Sequence, residues 1–147
     1  MLAEAARQAE GPLAASFADS DRNPPTFDPQ THAVSLPAAF KESVLAWQRG
    51  EWTRIGLAEG IGGLPAPAMV RWAINEFLVG GLPAAFFYLD GPPMMDVLFN
   101  VGNEQQKRWA ALAVERNWGA TMVLTEPDAG SDVGAGRTKA VEQPDGT

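Results

Sequence analysis

The sequence predicts a mainly α-helical fold that runs, at its C-terminal end, into the first strands of an incomplete β domain. Three observations carry that reading. Apolar residues recur at helical spacing in successive segments before residue 117, and glycine or proline closes each segment. After Trp118 the pattern shortens to a β-prone run, Thr121-Met122-Val123-Leu124-Thr125, bounded by turn residues. The expected division is a helical domain over residues 1–117 and the start of a β domain over residues 118–147. A chain of this size removes about 70% of its unfolded surface from water, so a core needs no covalent staple.

The elements follow in order. Residues 1–18 are rich in Ala, Leu, Glu, Arg and Gln, strong helix formers, with Gly11-Pro12 as an interruption. Residues 20–36 read as an irregular connection, because Asn23-Pro24-Pro25 and Asp28-Pro29 are turn chemistry; His32 there is expected to be a solvated surface group. Residues 37–49 predict a helix with Pro37 in its first turn, Phe40, Val44 and Trp47 on one face, and Gly50 at the exit. Residues 51–67 are loop-like, anchored by Trp52, Ile55 and Leu57. A helix over residues 68–79 is expected to bury Met69, Trp72, Ala73 and Phe77.

Residues 82–89 are apolar on every side and are expected to be the most buried segment. Gly91-Pro92-Pro93 breaks that run before a short helix to Val101. Asn103 with Gln106 three residues on has the form of a capping box, and the helix it opens is expected to bury Trp109, Leu112 and Ala113. Residues 137–142 alternate weakly and end at the turn Pro144-Asp145-Gly146. Core packing is the default expectation for all of Trp47, Trp52, Trp72, Trp109 and Trp118.

Charge and composition exclude whole classes. Eleven basic against eighteen acidic residues give 11 − 18 = −7, spread along the chain with no basic face, which argues against nucleic acid as a partner. The absence of cysteine excludes disulfides, thiolate metal sites and Cys nucleophiles, and the single His32 allows no His–His metal pair; no metal site is expected. The longest charge-free run, residues 77–89, falls short of the roughly 18 apolar residues of a membrane span. Glu4, Arg7 and Glu10 stand where a secretory signal needs apolar residues, so a soluble, cytoplasmic protein is expected.

The chemistry lies in Met122 to Ala140, where a strand-like run enters a loop with three glycines, Asp128 and Asp132, and the hydroxyls of Thr125 and Ser131. Successive free N–H groups in such a loop can hold an anion, so a phosphate-bearing ligand is one reading. Specific nucleotide motifs fail on spacing. A nucleotide-hydrolase loop would need Gly-Lys where Ala135-Gly136 stands, and the dinucleotide fingerprint would need a third glycine where Lys139 stands. The nucleophile elbow would need glycine at Ala129.

Thr125-Glu126-Pro127-Asp128-Ala129-Gly130-Ser131-Asp132-Val133 resembles the signature segment of the acyl-CoA dehydrogenases. The run Gly102-Asn103-Glu104-Gln105-Gln106-Lys107-Arg108-Trp109 resembles the helix start before that signature. Residues 52–63, with Gly56-Leu57 and Gly62-Gly63, resemble the family's glycine-rich segment, and Arg137-Thr138-Lys139-Ala140 the strand after the signature. The resemblance implies a flavoenzyme with an N-terminal helical domain, a middle β-barrel domain and a C-terminal helical domain. FAD would be the cofactor and acyl-CoA the substrate, giving a trans-2-enoyl-CoA within fatty-acid β-oxidation. It implies flavin contacts at Met122, Val123, Leu124, Thr125 and Gly130, and both flavin-side and CoA contacts at Ser131. It further implies a homo-oligomer and an electron-transferring flavoprotein as electron acceptor. Glu126 is not the family's base and is expected to bond within its own loop, as Asp132 is.

No catalytic residue is expected within the chain: the family's base falls downstream of Thr147, and the sequence stops one residue past a turn. The expectation is a fragment of an FAD-dependent acyl-CoA dehydrogenase, inactive alone. A fragment of an acyl-CoA oxidase, or a non-catalytic helical module that binds acyl chains or another subunit, are the alternatives. A fragment should expose an apolar surface, and a self-contained module should not. Phe86, Phe87 and Tyr88 could line an acyl tunnel, although plain core packing is the simpler expectation.

Overall fold

The fold was described from a computed structural model, in which residues 1–146 are placed; Thr147, the last residue of the expected β segment, lies outside the described residues. Helix α1 (Leu2–Gln8) continues through a π-helical turn (Ala9–Leu13) directly into α2 (Ala14–Arg22). The interruption expected at Gly11-Pro12 is thus a widened turn inside one helical run. Proline lacks an N–H and strikes the carbonyl four residues back, and a π turn relieves both faults. Ser43 Oγ reaches the Pro12 carbonyl at 2.9 Å, and buried Ser16 donates to the Leu13 carbonyl at 2.9 Å.

The connection expected to be irregular holds a two-residue antiparallel pair, β1 (Thr26–Phe27) and β2 (Val34–Ser35), with Thr26 opposite Ser35 and Phe27 opposite Val34. Asp28 builds the turn between them by accepting the Thr31 hydroxyl at 2.7 Å and the Gln30 amide at 2.8 Å. Those bonds, the hydroxyl first, hold its carboxyl below the usual carboxylate range. His32 is exposed, as expected.

Helices α3 (Ala38–Arg49), α4 (Ala68–Gly81), α5 (Pro83–Leu89), α6 (Gly91–Val101) and α7 (Glu104–Glu115) complete the fold. One core joins Ala5, Ala9 and Leu13 to Phe40, Trp47, Ile74, Leu78 and Leu82. A second joins Leu57 and Ile61 of the loop to Ala110 and Val114 of α7, beneath Met95, Leu98 and Phe99 of α6. Each fully buried Leu or Ile contributes about 1.5–3 kcal/mol of transfer free energy. Trp52 is pinned by its indole N–H, which donates to Gln8 Oε1 at 3.0 Å.

Several expectations are corrected. Helix α4 buries Ile74 and Leu78 rather than Met69 and Trp72, which are 82% and 59% exposed. Its apolar arc is wider than one stripe, so periodicity admits two faces and docking on α1 selects between them. Helix α7 buries Ala110, Ala113 and Val114 and leaves Trp109 exposed, because small residues let α6 and α7 approach closely. Trp72, Trp109 and Trp118 are all exposed; only Trp47 and Trp52 are core residues among the five.

Residues 82–89 are not buried throughout. The helical period turns Leu82, Ala85 and Leu89 inward and leaves Phe87 80% and Tyr88 42% exposed. The runs 121–125 and 137–142 form no strand. A strand exists only with a partner, and residues 119–125 make no backbone hydrogen bond among the described residues. The turn after them does form, with the Gly146 amide donating to the Gln143 carbonyl at 2.9 Å.

Candidate functional site

The signature segment is launched by the end of α7. That helix starts in the expected capping box, Asn103 Oδ1 accepting the Gln106 amide at 2.9 Å and Gln106 Oε1 the Asn103 amide at 2.8 Å. It ends in a Schellman motif: Asn117 sits at φ 51°, its amide donates to Val114, and the Trp118 amide donates to Ala113 at 2.9 Å. The chain then crosses the start of α6 at Gly91, where any Cβ would fall on the Trp118 carbonyl. Only glycine permits that crossing.

Beyond it, a cleft of about 640 Å³ opens between Val44 of α3, Phe87 and Tyr88 of α5, and Gly119, Ala120 and Thr121. Next in the chain come Met122, Val123 and Leu124, which are 72%, 93% and 51% exposed, and the exposed Thr125. All six residues singled out in the sequence, Gly130 and Ser131 included, are exposed, on either side of half-buried Glu126 and buried Ala129.

The loop itself is closed on itself. Glu126 and Ala129 exchange backbone hydrogen bonds of 3.1 Å each, and Ala129 is the buried anchor. The Glu126 carboxylate accepts the Arg137 amide at 2.7 Å and the Thr138 amide at 2.9 Å. The Arg137 amide first, then the Thr138 hydroxyl and amide, hold its carboxyl below the usual range. The expectation that Glu126 bonds within the loop is met. Asp132 opens a 3-10 turn (Val133–Ala135) through its carbonyl, which accepts the Ala135 amide at 3.1 Å.

Of a second cleft, of about 450 Å³, the sequence pointed only to Phe87 and Tyr88, as candidate tunnel residues. Phe17 and Asp21 of α2, Phe40 of α3, and Phe87 and Tyr88 of α5 line it. No spacing rule pairs α2 with α5, so its Phe17 and Asp21 side carried no signal. Among the described residues no group of three acidic or His side chains is placed to hold a metal, and no helix is long and apolar enough to cross a membrane.

No family model matches the chain. Along all 147 residues, however, it is 56% identical to the broad-specificity linear acyl-CoA dehydrogenase FadE5 of Mycobacterium tuberculosis. The chain belongs to the acyl-CoA dehydrogenase family. The 3-methylmercaptopropionyl-CoA dehydrogenase of Ruegeria pomeroyi is 31% identical over 119 residues, 78% of this chain. The chain spans 24% and 20% of the lengths of these two relatives. A mainly helical chain is the fold expected of an N-terminal segment of an acyl-CoA dehydrogenase.

Proposed function

We propose that this chain is a segment of an FAD-dependent acyl-CoA dehydrogenase, and that it supplies one wall of the flavin site and part of the acyl-CoA site. The observation that carries the reading is the outward-facing run Met122, Val123, Leu124 and Thr125, in a chain 56% identical to an acyl-CoA dehydrogenase. A planar ring with polar edges needs an apolar cover and hydrogen-bonding groups beside it. Residues 122–124 offer exposed apolar side chains on a backbone without partners among the described residues, and Thr125 offers an exposed hydroxyl. These groups fit an isoalloxazine ring. When bound, the flavin supplies the acceptor for the hydride leaving the acyl β-carbon.

In this reading Met122, Val123 and Leu124 exclude water from the ring face, and the Thr125 hydroxyl orients the ring by a hydrogen bond to its polar edge. Gly130 admits a close backbone approach, and Ser131 holds the CoA part of the substrate. Phe87 and Tyr88 line the acyl cleft. Glu126 has both carboxylate oxygens engaged, so it is not assigned as the α-proton base. That base belongs, in this proposal, to the part of the relatives' length that the chain does not span, as do homo-oligomer contacts and the surface for an electron-transferring flavoprotein.

A self-contained non-catalytic module would have to leave Phe87, Val101 and Val123 at about four-fifths exposure or more in water. The reading is tested in the complete protein containing this segment. Thr125→Val should shift the flavin absorbance and lower acyl-CoA-dependent dye reduction by about 100-fold, the lower end for one lost charge-stabilising bond. Ser131→Ala should raise KM for acyl-CoA and change kcat little. Unaltered flavin spectrum and KM in both variants would sink the assignment.

A further inference from the structure

The closed loop shows how Ser131 is held. Glu126 lies at the neck of the loop, and both of its carboxylate oxygens are committed to it: Oε2 accepts the Arg137 amide and Oε1 the Thr138 amide, residues 11 and 12 positions later. The reciprocal backbone pair with Ala129 fixes the near side of the neck. Gly136 lines the same contact: a Cβ there would stand 3.3 Å from Glu126 Oε1 and 3.2 Å from the Val133 carbonyl, tighter than ordinary packing. Its backbone angles, φ −56° and ψ 142°, suit any residue, so space rather than conformation is what its missing side chain provides. Gly130 and Ser131 occupy the exposed crest between these fastenings.

We infer that Glu126 is a positioning residue: its carboxylate, admitted by Gly136, clamps residues 137 and 138 and so sets where Ser131 is presented. A carboxylate accepting backbone N–H groups makes a charge-assisted bond about twice as strong as a neutral one, and both bonds here close the same ring. The claim that Ser131 is thereby presented to CoA rests on the function proposed above, whereas the clamp itself does not.

The test uses the complete protein containing this segment, with selectively labelled amides resolved by NMR. Wild type should show the Arg137 and Thr138 amide protons shifted downfield by the carboxylate. Glu126→Ala should abolish both shifts, and Glu126→Gln, which keeps one carbonyl acceptor, should lose one of the two. Gly136→Ala should weaken both, while the amides of α3 and α7 stay in place in every variant. Coenzyme A is then titrated as the probe. Wild type should respond at the Ser131 amide, with at least a threefold loss of apparent affinity in Glu126→Ala and a smaller loss in Glu126→Gln. Unshifted Arg137 and Thr138 amides in the variants would overturn the clamp. An identical Ser131 response in Glu126→Ala would overturn its positioning role. If wild-type Ser131 ignores coenzyme A while the amide shifts behave as stated, the clamp stands and the CoA assignment falls.

Discussion

The Asp96 carboxylate on α6 accepts the backbone N–H of Ala58 at 2.9 Å, tying the glycine-rich segment to a helix 38 residues further along the chain. The bond is partly buried and sits beside the Leu57–Ile61 core, so its loss loosens the floor on which α7 rests. Asp96→Ala leaves a half-buried amide without its acceptor, which costs about 1.5–3 kcal/mol for a charged partner. Asp96→Asn keeps a neutral acceptor and should cost less. Urea unfolding should show the midpoint falling with an unchanged slope, Ala further than Asn. Equal midpoints for all three proteins would remove this bond from the account.

Asn117 gives a second test. It is a non-glycine residue held at φ 51°, where the Schellman motif needs the left-handed region. Asn tolerates that region and β-branched residues do not. Asn117→Gly should be neutral or stabilising by a few tenths of a kcal/mol, and Asn117→Val should destabilise by about 1–2 kcal/mol. Thermal unfolding of the pair reads the difference directly. A Val variant as stable as wild type would mean the turn re-forms in another way.

Thr53 offers a case of the opposite sign. Its Oγ1 is buried and finds no hydrogen-bond partner among the described residues, beside a small cavity lined by Asn75, Phe86 and Asp90. An unsatisfied buried hydroxyl carries a desolvation penalty of about 1–3 kcal/mol. Thr53→Val keeps the shape and removes the polar atom, so the midpoint of unfolding should rise. A fall would show that water entering the cavity satisfies the hydroxyl.

What the sequence disclosed depended on whether the cause was local. The capping box of Asn103 and Gln106, the helix opening after Pro37 and the turn at Gly146 are written within a few residues, and each was legible. The choice between Trp72 and Ile74, or between Trp109 and Ala110, was not. Both members of each pair satisfy the 3.6-residue period, and only the neighbouring helix decides which turns inward. The run at residues 121–125 is β-prone in sequence and lacks a partner in space, so propensity alone could not make it a strand. At the candidate site, the loop role of Glu126 was readable from the signature. The clamp onto Arg137 and Thr138 was not, because nothing local links residues 11 positions apart.

Asp90 supplies the pH dependence. Partial burial raises its carboxyl above the ordinary value of 3.8, and Arg71 only partly offsets this. Below that ordinary value the group is protonated in both folded and unfolded chains and contributes nothing. As pH rises, the unfolded chain ionises first and the folded chain lags, so stability is lost through the interval up to the raised folded value and stays lost above it. Glu126 runs the other way: its folded value lies below the ordinary 4.5, so its contribution is present above that pH and disappears as the pH falls through the folded value. The two groups are separable by substitution. Asp90→Asn removes the ionisation and should raise the urea midpoint at pH 7 while leaving it unchanged at pH 3. Glu126→Gln should lower the midpoint at pH 7 and lower it by progressively less as the pH falls below 4.5. If Asp90→Asn shifts the midpoint equally at both pH values, lost packing or hydrogen bonding, rather than burial of its charge, is what the substitution reports.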